Sequence, residues 1–315
     1  MRAKKVDFGV TYKQFKPDTD AMRRLACQNG LVLRNERVNI LDIHNDEIKW
    51  ACHYGQIDVV RRLLVDSRVN PADYNNIAMR RACGNGHTDV VRLLLADNRV
   101  NPADENNDAI RWACWNGHID VVRLLLADSR VDPTDKNNEA IRWACTRGHI
   151  NVVRLLLENE RVNPGDMYND AINSACGGGH INVIRLLLAD SRVNPADNDN
   201  KAIQKACERG HVDVVRLLLA DPRVNPADNN NKAVRDACYY GHVDVVRLLL
   251  ADDRVNPADN NNKAIQEACM RGRVDVVRLL LADARVNPAD NNNKAIQEAC
   301  MCRHVKIVFL LLSNP

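Results

Sequence analysis

The sequence has no run approaching eighteen uncharged apolar residues. Its apolar pieces are as short as the LLL of RLLLAD, which excludes a bilayer-spanning helix and removes the membrane as a partner. Nor does charge of one sign dominate. The 44 Lys and Arg stand against 41 Asp and Glu, a formal net charge of +3, so nucleic acid is not the default partner. The opening MRAKKVDFGVTYKQFKPD mixes charges with isolated apolar residues and has no secretory leader pattern. With an odd total of 11 cysteines, a reducing location, cytoplasmic or nuclear, is expected. Also missing are a P-loop, G-x-G-x-x-G, H-E-x-x-H and G-x-S-x-G, so neither an enzyme nor a cofactor is expected. With 45% hydrophobic and 27% charged residues, disorder and collagen are excluded as well.

What the chain does have is a repeat. Arg-Val-Asn/Asp begins at Arg37, Arg68, Arg99, Arg130, Arg161, Arg192, Arg223, Arg254 and Arg285, each 31 residues after the last. Cysteine keeps the same step at Cys52, Cys83, Cys114, Cys145, Cys176, Cys207, Cys238, Cys269 and Cys300. The cysteines are therefore lattice positions, not a disulfide framework.

Each unit carries two helix signals. In NKAIQEACMRG, Ala264, Ile265, Ala268 and Cys269 recur at helical spacing. An asparagine precedes every such stripe, from Asn45 and Asn76 to Asn262 and Asn293, and its side chain is expected to cap the helix. A glycine follows at Gly55, Gly86, Gly117, Gly148, Gly179, Gly210, Gly241 and Gly272, ending a helix of two to three turns in the left-handed region. The second helix reads HVDVVRLLLAD, with Val212, Val215, Leu218 and Leu219 expected inward. RVNPADNNN then links the units, and its proline predicts a protruding turn or short β-hairpin. Two short helices bury little alone, so the expected fold is an all-α, elongated α-solenoid of stacked helix-turn-helix repeats with short protruding hairpin or turn loops.

These residues resemble the ankyrin repeat, with its TPLHxAA opening, GHxxVVxxLL second helix and DVN turn. The match is close from Gly210 to Leu219, and RVN stands where DVN would be. The period is 31 instead of the usual ~33, and TPLH gives way to strings such as Lys263–Gln266 (KAIQ) or Asp108–Arg111 (DAIR). The threonine and histidine that normally knit adjacent turns are thereby lost, and the capping asparagine is expected to compensate. The implied organisation is a basic extension at 1–18, a truncated capping repeat at 19–39, and nine repeats over 40–315, the last acting as a cap. The resemblance also marks turn asparagines such as Asn70, Asn101 and Asn225 as positions that asparaginyl hydroxylases modify in similar proteins.

Six histidines follow the glycines, from His87 to His242, too evenly spaced to share a metal or an acid/base task, so their expected role is structural. Cys300, Cys302 and His304 form a C-x-C-x-H string with no evident fourth ligand, and no metal site is expected there.

The informative positions are those that differ between units. Two before the lattice cysteine stand Trp50, Arg81, Trp112 and Trp143, then Ser174, Lys205, Asp236, Glu267 and Glu298. Trp115 follows Cys114 directly, with Tyr54 and Arg147 two after their cysteines. Three before come Lys49, Arg80, Arg111 and Arg142. In the resembling arrangement these positions face the concave surface, and tryptophan and arginine are the side chains most enriched at binding hot spots. The expected site is therefore Trp50, Tyr54, Arg80, Arg81, Arg111, Trp112, Trp115, Arg142, Trp143 and Arg147. Trp50, Trp112 and Trp143 are weighed equally between packing and contact, Trp115 is expected exposed, and guanidinium stacking on the indoles is a further reading. The expected function is a non-catalytic protein-protein interaction scaffold binding a partner protein or peptide. The alternatives are single-stranded nucleic-acid binding through this Trp/Arg-rich half, and a structural array, expanded or engineered, with no specific partner.

Overall fold

The computed structural model describes residues 40–313, with side chains from residue 45 onward. The expected basic extension and truncated capping repeat lie outside the described residues. The chain divides into two compact units, Met1–Asp104 and Glu105–Pro315. The first unit contains α1 (Ile40–His53), α2 (Ile57–Val65), α3 (Asp73–Gly84) and α4 (Thr88–Leu95). In the second, the first helices of each pair are α5 (Asp104–Asn116), α7 (Asp135–Thr146), α9 (Asp166–Gly178), α11 (Asp197–Arg209), α13 (Asp228–Tyr240), α15 (Asp259–Met270) and α17 (Asp290–Met301). Their partners are α6 (Ile119–Leu126), α8 (Ile150–Leu157), α10 (Ile181–Leu188), α12 (Val212–Leu219), α14 (Val243–Leu250), α16 (Val274–Leu281) and α18 (Val305–Leu312). Within each unit first helices stack on first helices and second on second, the α-solenoid arrangement.

The core follows from small residues at fixed places. Ala264, Ile265, Ala268 and Cys269 on α15 are at most 1% exposed, as are their counterparts in the other internal repeats, so adjacent helices approach closely. On the second helices Val214, Val215 and Leu218 are buried, whereas Val212 and Leu219, expected inward, are only half-buried. The buried face is thus centred one position away from the expected stripe. Burial pushes the thiols of the eight lattice cysteines from Cys52 to Cys269 upward, Cys269 to about 12, which keeps them protonated. Cys300 differs from the other described lattice cysteines: its side chain is exposed at the last described repeat, because no described residue packs over the position that the following repeat covers elsewhere.

No strand occurs among the described residues, so the expected linker is a turn and not a hairpin. Its form is unusual. From α3 onward each repeat has three successive left-handed non-glycine residues, for example Asn229 (φ 54°, ψ 47°), Asn230 (φ 55°, ψ 53°) and Asn231 (φ 54°, ψ 40°). Such residues cost about 1–2 kcal/mol each, least for asparagine, which explains the asparagine-rich string. Asn225 closes the preceding turn, its side-chain oxygen accepting from Ala227 N at 3.1 Å.

The third left-handed residue is the supposed cap, and it does not cap its own helix. An N-cap needs extended backbone, which φ 54° forbids. Instead Asn231 is buried and reaches into the next repeat: its Oδ1 accepts from Asn256 N at 2.8 Å and its Nδ2 donates to Asp259 at 2.9 Å. In the first unit Asn45 accepts from Asn70 N at 2.7 Å and Asn76 from Asn101 N at 2.9 Å. The asparagine does compensate for the missing threonine and histidine, but across the repeat boundary.

Two further columns knit the stack. His211 Nε2 donates to Gly177 O at 3.0 Å and His242 to Glu208 O at 3.0 Å; where the histidine becomes Arg273, its Nε donates to Tyr239 O at 3.1 Å. The structural role expected of the histidines is the one they have. Gly210 is doubly required, since its φ is +74° and a Cβ there would stand 2.5 Å from the His242 ring. The RVN arginine is the third handle: Arg254 donates to Val224 O at 2.8 Å and Leu219 O at 3.1 Å, and grips Asp252 at 2.7 Å. These hydrogen bonds hold Asp97, Asp128, Asp190, Asp221, Asp252 and Asp283 below the ordinary carboxylate range.

Two predictions follow from these contacts. Asn231→Ala loses both bridging bonds and leaves Asn256 N–H unpaired, so urea unfolding is expected to show a loss of about 3–4 kcal/mol, against about 1 kcal/mol for exposed Asn230→Ala, which loses only left-handed tolerance. Equal losses would mean that the bridge contributes nothing. Because the arginine-paired aspartates titrate lower in the folded chain, their stabilisation is present above the unfolded carboxylate pKa of about 3.9 and is lost as pH falls through the folded value. The urea midpoint should hold between pH ~7 and ~5 and drop below pH ~4, less steeply in a D221N/D252N variant.

Candidate functional site

In the first unit the expected residues lie together on the first-helix face. Trp50 and Tyr54 stack with ring centroids 6.0 Å apart, and the Arg81 guanidinium lies 4.6 Å from the Trp50 ring centre. Arg80 is half-buried and donates to Tyr74 O at 3.1 Å. Lys49 is buried against Asp46 at 2.9 Å.

In the second unit Trp112 and Trp115 of α5 meet Trp143 of α7 edge to face, with centroids 5.8 and 5.5 Å apart. Arg147 lies 4.9 Å above Trp115, and Arg111 lies 5.5 Å from Trp143. Guanidinium stacking is therefore the arrangement found, and each of these two indoles keeps one face occupied. Exposure differs from expectation: Trp115 is half-buried, under Arg147, while Trp112 is the exposed one at 41%.

The basic row is not a free surface. Arg111 is 5% exposed, donates to Asn106 O and Glu105 O at 3.2 and 2.9 Å, and pairs with Asp108 and Glu139. Arg142 repeats the pattern with Asn137 O, Lys136 O and Asp170. Where the row holds amides the same bonds form: Asn173 donates to Tyr168 O at 3.0 Å and Gln266 to Asn261 O at 2.6 Å. From Arg80 onward the row satisfies carbonyls of the left-handed turn, a task that Arg, Asn or Gln can each do, whereas Lys49 pairs with Asp46 and Asp73. Arg111 and Arg142 thus have their donors engaged within the scaffold, while Trp112, Trp115, Trp143 and Arg147 lie on the same first-helix face of the second unit.

Beside them lies a groove that the sequence reading passed over. Its volume is about 410 Å³. The floor is α9, with Asp170, Asn173, Ser174, Gly177 and Gly178 and with Met167 at the rim; Thr146 of α7 forms one wall, and Asn198, Lys201, Lys205 and Arg209 of α11 the other. The depression exists because α9 has serine and glycines where its neighbours carry Trp143, Thr146, Lys205 and Glu208. The signal was present in the aligned repeats, as a loss of bulk and not a gain of chemistry.

Farther along, Lys232 pairs with Asp236 at 2.7 Å and Lys294 with Glu298 at 3.0 Å, pairs one turn apart on single helices. Burial raises the Glu267 carboxyl between them. In the C-x-C-x-H string His304 is engaged with Met270 O at 3.2 Å, and among the described residues no group of three metal-binding side chains converges.

A family model described as ankyrin repeats (3 copies) matches residues 48–137, 129–199, 191–261 and 237–315. Among solved structures the chain is similar to the ankyrin repeat domain of human ASB11, at 21% identity over 61% of this chain and 96% of that one, with a TM-score of 0.47. No curated protein matches it.

The contacts separate scaffold from surface experimentally. Arg111→Ala breaks a buried pair and strips two turn carbonyls, so chemical denaturation is expected to register a loss of about 3 kcal/mol, whereas Arg147→Ala, exposed over Trp115, should lose less than about 1 kcal/mol. A reversed order would return Arg111 to the surface set.

Proposed function

The chain belongs to the ankyrin-repeat family, whose repeats are generally protein-protein interaction modules, and we propose that it is a non-catalytic scaffold holding a partner protein or peptide on the first-helix face of its second unit. The observation carrying this reading is that on this face the side chains two before and one or two after the lattice cysteine change between tryptophan, serine, glycine and charged residues, over a scaffold whose asparagine, histidine and arginine contacts hardly change. Within that variation, Trp112, Trp115, Trp143 and Arg147 place the residue types richest in binding energy beside a groove. The nucleic-acid reading is weakened by the same contacts, since Arg111 and Arg142, offered as phosphate ligands, are committed to carboxylates and turn carbonyls. An intracellular, reducing location is proposed with it, supported by ten described cysteines that are all free thiols.

Wild-type chain and a W112A/R147A variant, shown to melt alike, are used to capture protein and nucleic acid from native lysate. A protein retained by wild type and lost by the variant is the expected result. Identical capture by both forms, or capture of nucleic acid alone, overturns the reading.

A further inference from the structure

Resting on that reading, we propose that the groove over α9 is a peptide subsite whose occupant is an acidic linear segment, its carboxylates meeting Lys201, Lys205 and Arg209 and its apolar side chains lying along the α9 floor. Charge makes the first part of the case. Of the ionised groups lining the groove, the three on the α11 wall are cations, and the single carboxylate, Asp170, is already neutralised by Arg142 at 3.0 Å. Glu208, just outside the lining, takes Lys205 at 2.8 Å and stands 3.9 Å from Arg209, which leaves the wall with a net positive charge. In a partly enclosed groove such charge is screened less than on an open surface and selects for an anionic partner.

The shape makes the second part. A glycine inside a helix weakens it, and most glycines here have a compensating necessity. Gly177 has none: its backbone is right-handed, and a Cβ there would meet only the Lys205 Cβ, at 3.9 Å, an ordinary contact. The same position carries Trp115, Thr146, Glu208 and Tyr239 in other repeats, so the scaffold accepts any size there. The space above Gly177 is not needed for folding, and exposed Met167 at its rim supplies an apolar contact for an incoming side chain. Nucleic acid fits less well, because the neighbouring Trp115 and Trp143 already carry guanidiniums stacked on their rings, which leaves less indole surface for a base.

Fluorescence anisotropy tests this with three fluorescein-labelled ten-residue peptides, alternating glutamate-leucine, glutamine-leucine and lysine-leucine, and with a ten-nucleotide oligo-dT. The chains are wild type, K201Q/K205Q and G177W, the last filling the groove with a side chain that position 115 already tolerates. The expected result is binding of the glutamate peptide at least about tenfold tighter than the other probes, weakened about tenfold or more in both variants and by added salt, with all three chains melting as folded proteins. Equal binding of the glutamine peptide, tighter binding of oligo-dT, unchanged affinity in the variants, or no binding of the glutamate peptide overturns the proposal. Applied to the lysate capture, G177W separates the two readings. A partner lost by W112A/R147A but kept by G177W removes the acidic subsite and leaves the scaffold function standing, whereas a partner kept by both variants removes both.

Discussion

Every internal repeat is left incomplete by its own residues and finished by the next one. The left-handed asparagine has nothing local to bond, and it finds both its donor and its acceptor in the following turn, as Asn231 does with Asn256 and Asp259. The histidine that precedes most second helices, or Arg273 in its place, hangs on a carbonyl of the preceding repeat, and an RVN arginine such as Arg254 on two more. Because each bond spans a boundary of fixed length, inserting one residue in a linker would misalign all three columns together. That is the physical reason the 31-residue step never slips. The apolar layers supply the larger burial term, but they are built of interchangeable valines, leucines and alanines and do not by themselves set the register.

The turn sets a second constraint. Three consecutive left-handed residues turn several carbonyls away from the usual helical donors, and buried or half-buried carbonyls must be satisfied. A long side chain five or six residues later supplies the N–H, whether it is Arg142, Asn173 or Gln266. Once that duty is recognised, the face divides differently from a reading by residue type. Arginines that look like hot spots are internal struts, while Trp112, Arg147, Ser174 and Lys205 stand at positions whose side chains the turn does not use and which change from repeat to repeat. Recognition surfaces on a repeating scaffold are better sought among positions the backbone does not use.

Much of the architecture was legible in the sequence, for identifiable reasons. Alanine and cysteine at helical spacing, and a glycine 31 residues after the last, admit few other folds, and the glycine's left-handed φ and the structural use of the histidine were both readable from position. The asparagine was misread because its side chain suits an N-cap as well as a left-handed residue, and propensity alone does not separate the two. Trp115, expected exposed, is half-buried because Arg147, a residue one repeat away, covers it, while Trp112, evenly weighed between packing and contact, is the exposed indole.

The period, the helix pairs, the buried lattice cysteines and the family were determined by the sequence alone, since they depend on local spacing repeated many times. Tertiary structure decided which donors are consumed by the scaffold, which indole faces are covered, and that the loss of bulk at Ser174, Gly177 and Gly178 opens a groove against a cationic wall. Those outcomes depend on contacts between residues about thirty positions apart, whose partners are chosen by three-dimensional stacking and leave no mark on the local pattern of either residue.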